Sequence, residues 1–143
     1  MVYVCREEDP TAPFHMNSVV GNRRIMHTCA MGKSILAALP NNEIVSYWHE
    51  VEKPQITPYT ITTLDTLLKE ISQVRRDGYA IDRQENVLGI GCIAMAVKGQ
   101  IGTPSYAISI SMPYEQMTEA KIKDLVPFLL STGNSIAAVL GYQ

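Results

Sequence analysis

The stretch Ile90-Gly91-Cys92-Ile93-Ala94-Met95-Ala96-Val97, with Tyr106-Ala107-Ile108-Ser109-Ile110-Ser111-Met112 after it, decides how the chain folds. Side chains alternate across a strand. In the second segment Tyr106, Ile108, Ile110 and Met112 share a large apolar face, which is the core face. Ala107, Ser109 and Ser111 share a small polar one. In the first segment Ile90, Cys92, Ala94 and Ala96 lie opposite Gly91, Ile93, Met95 and Val97. Lys98-Gly99-Gln100 and Gly102-Thr103-Pro104 break the chain between the two strands. If the strands pair, their small-residue faces join. Small residues there leave room for a ligand, with two serine hydroxyls as donors. They equally admit a close-packed helix whose backbone the serines bond.

Working outward, Tyr79 to Asp82 reads as a short strand and Arg83 to Gly89 as a polar loop. Before them Leu64, Leu67, Leu68, Ile71 and Val74 form the apolar stripe of a helix. Thr62-Thr63 precedes it, Arg75-Arg76 sit in its last turn, and Gly78 fits the position just past its end. Gly32 to Leu39 reads as a helix stopped by Pro40, and Asn41 or Asn42 as the cap of a short helix through His49. Met1 to Cys5, Phe14 to Val20 and Arg23 to Thr28 read as strands, with Gly21-Asn22 as a turn. Thr118 caps a final helix reaching about Leu140, which Pro127 should kink or restart. Adjacent hairpin-like strands with helices packed on them make the fold class α+β.

The 143 residues are 46% hydrophobic and 18% charged with a net charge of -2, which fits one domain over 1–143 and excludes a disordered tail. Lys+Arg at 12 against Asp+Glu at 14, with no basic cluster beyond Arg23-Arg24 and Arg75-Arg76, argues against direct nucleic-acid binding. Cys5, Cys29 and Cys92 are odd in number and lack metal-finger spacing, so reduced cytoplasmic thiols are expected. Charged Arg6 to Asp9 leave no signal-peptide core, and no run reaches the ~18–20 apolar residues of a membrane span. An extended strand starting at residue 1 points to a domain cut from something longer.

Chemistry concentrates at a few places. At Cys29-Ala30-Met31-Gly32-Lys33-Ser34 a strand runs into a helix, whose first N–H groups suit a carboxylate or phosphate. An ordinary helix start is the competing reading. Gly32-Lys33-Ser34 looks like the tail of a phosphate loop, but the first glycine of that motif is missing. Asp82, before the polar loop, can accept a ligand hydroxyl or cap a turn. His15, His27 and His49 lack metal-ligand spacing. Cys29 or Cys92 with His27 as base would make a thiol enzyme, although a buried cysteine is more often a small hydrophobe. No GxSxG, HExxH or GxGxxG occurs, so no catalytic residue, metal or cofactor is assigned.

These segments resemble the effector-binding domain of the IclR family of bacterial transcription regulators. The resemblance rests on Gly78, Asp82, Glu85, Cys92, Ile93, Ala94 and Val97 at the family's spacings. The run His27 to Ala37 adds to it, as do Ala107 to Ser111 with Pro113 and the last helix ending in Leu140-Gly141. Lys98-Gly99, Ala96 and Met112 depart from the family pattern. The resemblance implies a GAF-like fold, a curved antiparallel sheet with helices on both sides. It implies a pocket for a small carboxylate effector. The backbone amides of Ala30 and Met31 would hold the carboxylate, and Asp82 would take a hydroxyl or organise the site. Cys92, Ser109 and Ser111 would line the pocket and Ile90 would form an apolar wall. It also implies a homodimer or homotetramer that meets DNA only through an N-terminal winged helix-turn-helix absent from these residues. No membrane role is implied. A cysteine-dependent enzyme or redox sensor on the same fold, and a pure oligomerisation domain, are the alternatives.

Overall fold

A computed structural model describes residues 1–11, 19–97, 99 and 106–141. Helices α1 (Ala30–Ala37), α2 (Asn41–Glu50) and α3 (Leu64–Asp77) come first. Strands β1 (Ala80–Arg83), β2 (Ile90–Val97) and β3 (Tyr106–Pro113) follow, then helix α4 (Glu119–Val139). The strands form an antiparallel sheet in the order β1-β2-β3.

The alternation read from β2 and β3 sets the layers. Ile93 and Met95, with Ile81, Ile108 and Ile110, pack against Leu129, Ile122, Leu125 and Val126 of α4. Ala80, Ala94 and Cys92, of opposite parity, pack against Ala30 and Met31 of α1 and Val74 of α3. Helices therefore cover both faces. A third cluster, Leu36, Ile44, Trp48, Ile61, Leu67 and Ile71, binds α1, α2 and α3 to one another.

Local chemistry explains the helix boundaries. The Thr63 side chain accepts from the Thr66 amide at the start of α3, and Thr118 does the same for Lys121 in α4. Gly78 closes α3 in the left-handed region at φ 81°. Arg75 reaches from α3 to donate to the carbonyls of Ala37 (2.9 Å) and Leu39 (2.6 Å), capping the end of α1.

Several expectations need correction. Arg23 to Thr28 is not a strand: Met26–Thr28 form a 3₁₀ turn, with His27 and Thr28 buried. Tertiary burial overrides the local β propensity there. Among the described residues Met1 to Cys5 forms an isolated bridge, Val2 to Arg23, flanking a turn at Gly21, rather than a strand. The strand expected over Phe14 to Val20 lies mostly outside the described residues. Helix α1 starts at Ala30, two positions before Gly32, because extended Cys29 already accepts the Lys33 amide at 3.0 Å. Neither Asn41 nor Asn42 caps α2: Pro40 holds the N-cap position and the Asn41 side chain accepts from Arg75 at 2.8 Å. Strand β1 is shifted one residue on from Tyr79–Asp82. Pro127 does not restart α4, which is one helix from Glu119 to Val139. Pro127 lies on the exposed side, where water can take the carbonyl its missing N–H leaves behind.

Candidate functional site

The antiparallel register lines up two rows of side chains on the α1 face. Asp82 of β1 stands opposite Cys92 of β2, and Cys92 opposite Ser111 of β3. Ala80, Ala94 and Ser109 form the next row. Neighbouring strands are about 4.8 Å apart, so each row is a close-set line of functional groups. Ile90 shares the parity of Cys92 and stands opposite Pro113 at the end of the same face. The first turn of α1 lies over this face, with Ala30 against Ala80 and Ala94 and with Met31 and Cys92 beside them. The structure thus brings Ala30, Met31, Asp82, Cys92, Ser109, Ser111 and Ile90 to one side of the sheet.

The small-residue face is covered unevenly. Ala80 and Ala94 are fully covered, as close helix packing demands. Cys92, Ser109 and Ser111 are only half-buried. Ser111 Oγ pairs with Cys92 Sγ at 3.0 Å rather than with the helix backbone. The side chain of Cys29, at the N-cap of α1, makes no capping hydrogen bond among the described residues.

Asp82 is buried, and its Oδ1 accepts the Glu85 amide at 2.7 Å, so it does cap a turn. Burial raises its pKa above the usual carboxylate value, against the pull of the Glu85 amide and Lys33. Burial likewise pushes the Cys92 thiol up to about 12 and the Cys29 thiol up to about 11. Thiols held protonated at neutral pH are poor nucleophiles, which tells against thiol chemistry here. His27 is no base for them. It is buried, paired through Nδ1 with the Tyr47 hydroxyl at 3.0 Å and edge-on to Trp48, and burial lowers its pKa to about 4. No group of three His, Cys, Asp or Glu among the described residues could hold a metal.

Sequence reasoning passed over the strongest polar feature. Lys33 is fully buried, and its ammonium donates to Ile81 O (2.6 Å), Glu85 Oε1 (2.8 Å) and Glu70 Oε2 (3.0 Å). Thr57 and Thr60 add hydrogen bonds to the carbonyls of Gln84 (2.7 Å) and Glu85 (2.7 Å), fastening the β1–β2 loop from its other side. The only signal for Lys33 was a lysine inside a small-residue helix start. Its partners are 37 to 52 residues away.

Residues 1–138 match the family profile described as the bacterial transcriptional regulator IclR C-terminal domain. The chain is 34% identical over 128 residues to the HTH-type transcriptional repressor AllR of Escherichia coli K12, covering 90% of this chain and 47% of AllR. It therefore spans about half the length of such curated relatives. The crystal structure of the Thermotoga maritima IclR superposes with a TM-score of 0.92 at 35% identity, covering 99% of this chain and 57% of that one. A double mutant of the inducer-binding domain of the PobR transcription factor from Acinetobacter was solved with 3-hydroxybenzoic acid. It superposes at 0.77 with 25% identity, over 90% of this chain and 73% of that domain. Among the described residues no helix is long and apolar enough to cross a membrane.

Proposed function

The chain belongs to the IclR family of bacterial transcriptional regulators, as a C-terminal domain of that family, and on that premise we propose that it senses a small hydroxylated organic acid. The observation that carries this reading is the first turn of α1, whose N-cap Cys29 makes no side-chain capping bond, packed on the sheet face that carries the half-buried Cys92, Ser109 and Ser111. In this reading the amides of Ala30 and Met31 hold the effector carboxylate, since first-turn N–H groups and the helix dipole favour an anion. Ser109 and Ser111 take its polar end, Asp82 accepts a hydroxyl beside Cys92, and Ile90 walls the apolar side. The acid bound by PobR is of this chemical class. DNA contact belongs to a separate domain of the regulator. Effector binding acts on it by favouring one arrangement of a homodimer or homotetramer, through different affinity for the two states.

A thermal-shift panel of small carboxylates and sugar acids, with gluconate and 3-hydroxybenzoate among them, tests this directly, because a bound ligand stabilises by mass action. At least one member is expected to raise Tm in a concentration-dependent way. The double variant Ser109→Ala/Ser111→Ala should keep its fold and lose about 1 kcal/mol of binding per hydrogen bond removed. Unchanged affinity by calorimetry would remove the serines from the site.

A further inference from the structure

We propose that Lys33 is a positioning residue for the effector site, locking the first turn of α1 to the Asp82–Glu85 turn. The inference rests on the reading above, because these are the two halves of the site it holds together. Lys33 stands in the first turns of α1 and its own amide closes that turn on Cys29 O at 3.0 Å. Its side chain then reaches strand β1 and the loop after it. There Nζ meets the carbonyl of Ile81, the residue before Asp82, and the carboxylate of Glu85, whose amide binds Asp82 Oδ1. A third bond ties in Glu70 of α3, which also faces Arg83 at 3.6 Å. An ammonium has three hydrogens, and here each has an acceptor. Lys33 thus has no donor left for a ligand, so its part is to hold others in place. A fully buried ammonium is costly unless its hydrogen bonds are met, so the three acceptors fix its position tightly.

The same bonds separate positioning from charge. A glutamine at 85 keeps an Oε1 acceptor for Nζ but carries no charge, whereas an alanine keeps neither. The test compares Lys33→Met, Glu85→Ala and Glu85→Gln, with Ile122→Val of α4, on the opposite face of the sheet, as a core control away from the lock. Hydrogen exchange by NMR at the amides of Lys33 and Glu85 reads the two halves separately. Lys33→Met and Glu85→Ala should each lose about tenfold protection at both amides beyond any global loss seen in the control. Glu85→Gln should keep both. If Lys33→Met does not fold, the Glu85 pair decides alone. Protection retained in Glu85→Ala, or lost equally in Glu85→Gln, overturns the proposal. Calorimetry with gluconate and 3-hydroxybenzoate adds the functional arm. Binding should weaken about tenfold in Lys33→Met and Glu85→Ala and stay near wild type in Glu85→Gln, as a lost geometric constraint predicts. Equal affinity in all four variants overturns the positioning role. If neither acid binds the wild-type protein, that result counts against the effector reading, and the exchange data still decide the lock.

Discussion

Glu85 is buried with one carboxylate oxygen on Lys33 and the other, Oε2, without a hydrogen-bond partner among the described residues. Burial pushes its pKa up from 4.5 to about 7, outweighing the attraction of Lys33, while Asp82 and Glu70 push the same way as burial. The folded protein therefore holds a proton that the unfolded chain has released between those values. Glu85 contributes that stability in full below pH 4.5, and loses it as pH rises through 7. Glutamine imitates the protonated form. The Tm difference of Glu85→Gln over wild type should be near zero at the acid end of this window. It should turn positive above pH 7, measured by calorimetry across that range. His27 contributes in the opposite sense, since its lowered pKa weakens the fold as pH falls from 6.5 to about 4. The comparison between variants, not the wild-type curve, isolates Glu85. At this scale the sequence was only partly readable. The turn cap at Asp82 was legible, because its partner, the Glu85 amide, lies three residues on. Lys33 was not legible, because its three acceptors are brought to it by α3, β1 and the loop after β1 rather than by adjacent residues.

The element most constrained sterically is the start of α1. A Cβ on Gly32 would stand 2.1 Å from the carbonyl oxygen of Met26, which is backbone. The 3₁₀ turn holding Met26 carries buried His27 and Thr28 and has little room to move. Gly32→Ala should therefore destabilise the domain by roughly 1–3 kcal/mol or more, as overpacking does, read from the denaturant midpoint. The packing behind this glycine was not visible in the chain, whereas other elements were. The bounds of β2 and those of β3 to within one residue follow from strict alternation, and α3 from its stripe and Gly78. Arg23 to Thr28 misled because its β-branched and apolar residues serve a turn buried by α1 and α2. Nothing in a six-residue window announces that.

For the molecule as a whole, the sheet is a partition between two helical layers. Leu129 is 2% exposed where α4 meets Ile93 and Met95. Gly133 nearby lets the helix approach so closely that an added Cβ would meet Met95 Sδ at 2.3 Å. Leu129→Ala should cost about 2–5 kcal/mol of unfolding free energy in chemical denaturation, because the rigid sheet cannot collapse into the gap. If the site lies on the other face, effector affinity in the folded variant should be unchanged. The α+β class and the pairing of the two small-residue faces were legible because alternation is a property of the strands themselves. Which helix covers which face was not, since that depends on chain connections through loops. The parity of a strand thus makes neighbouring residues answer to different demands. Odd-numbered Ile81 and Ile93 hold the folding core, while even-numbered Asp82 and Cys92 line the opposite surface. Substitution at half-buried Cys92 should disturb folding less than at buried Ile93, whereas Ala80 and Ala94 stay tied to the packing under α1. Chemical preference can then drift among descendants of one sequence while the scaffold is inherited intact.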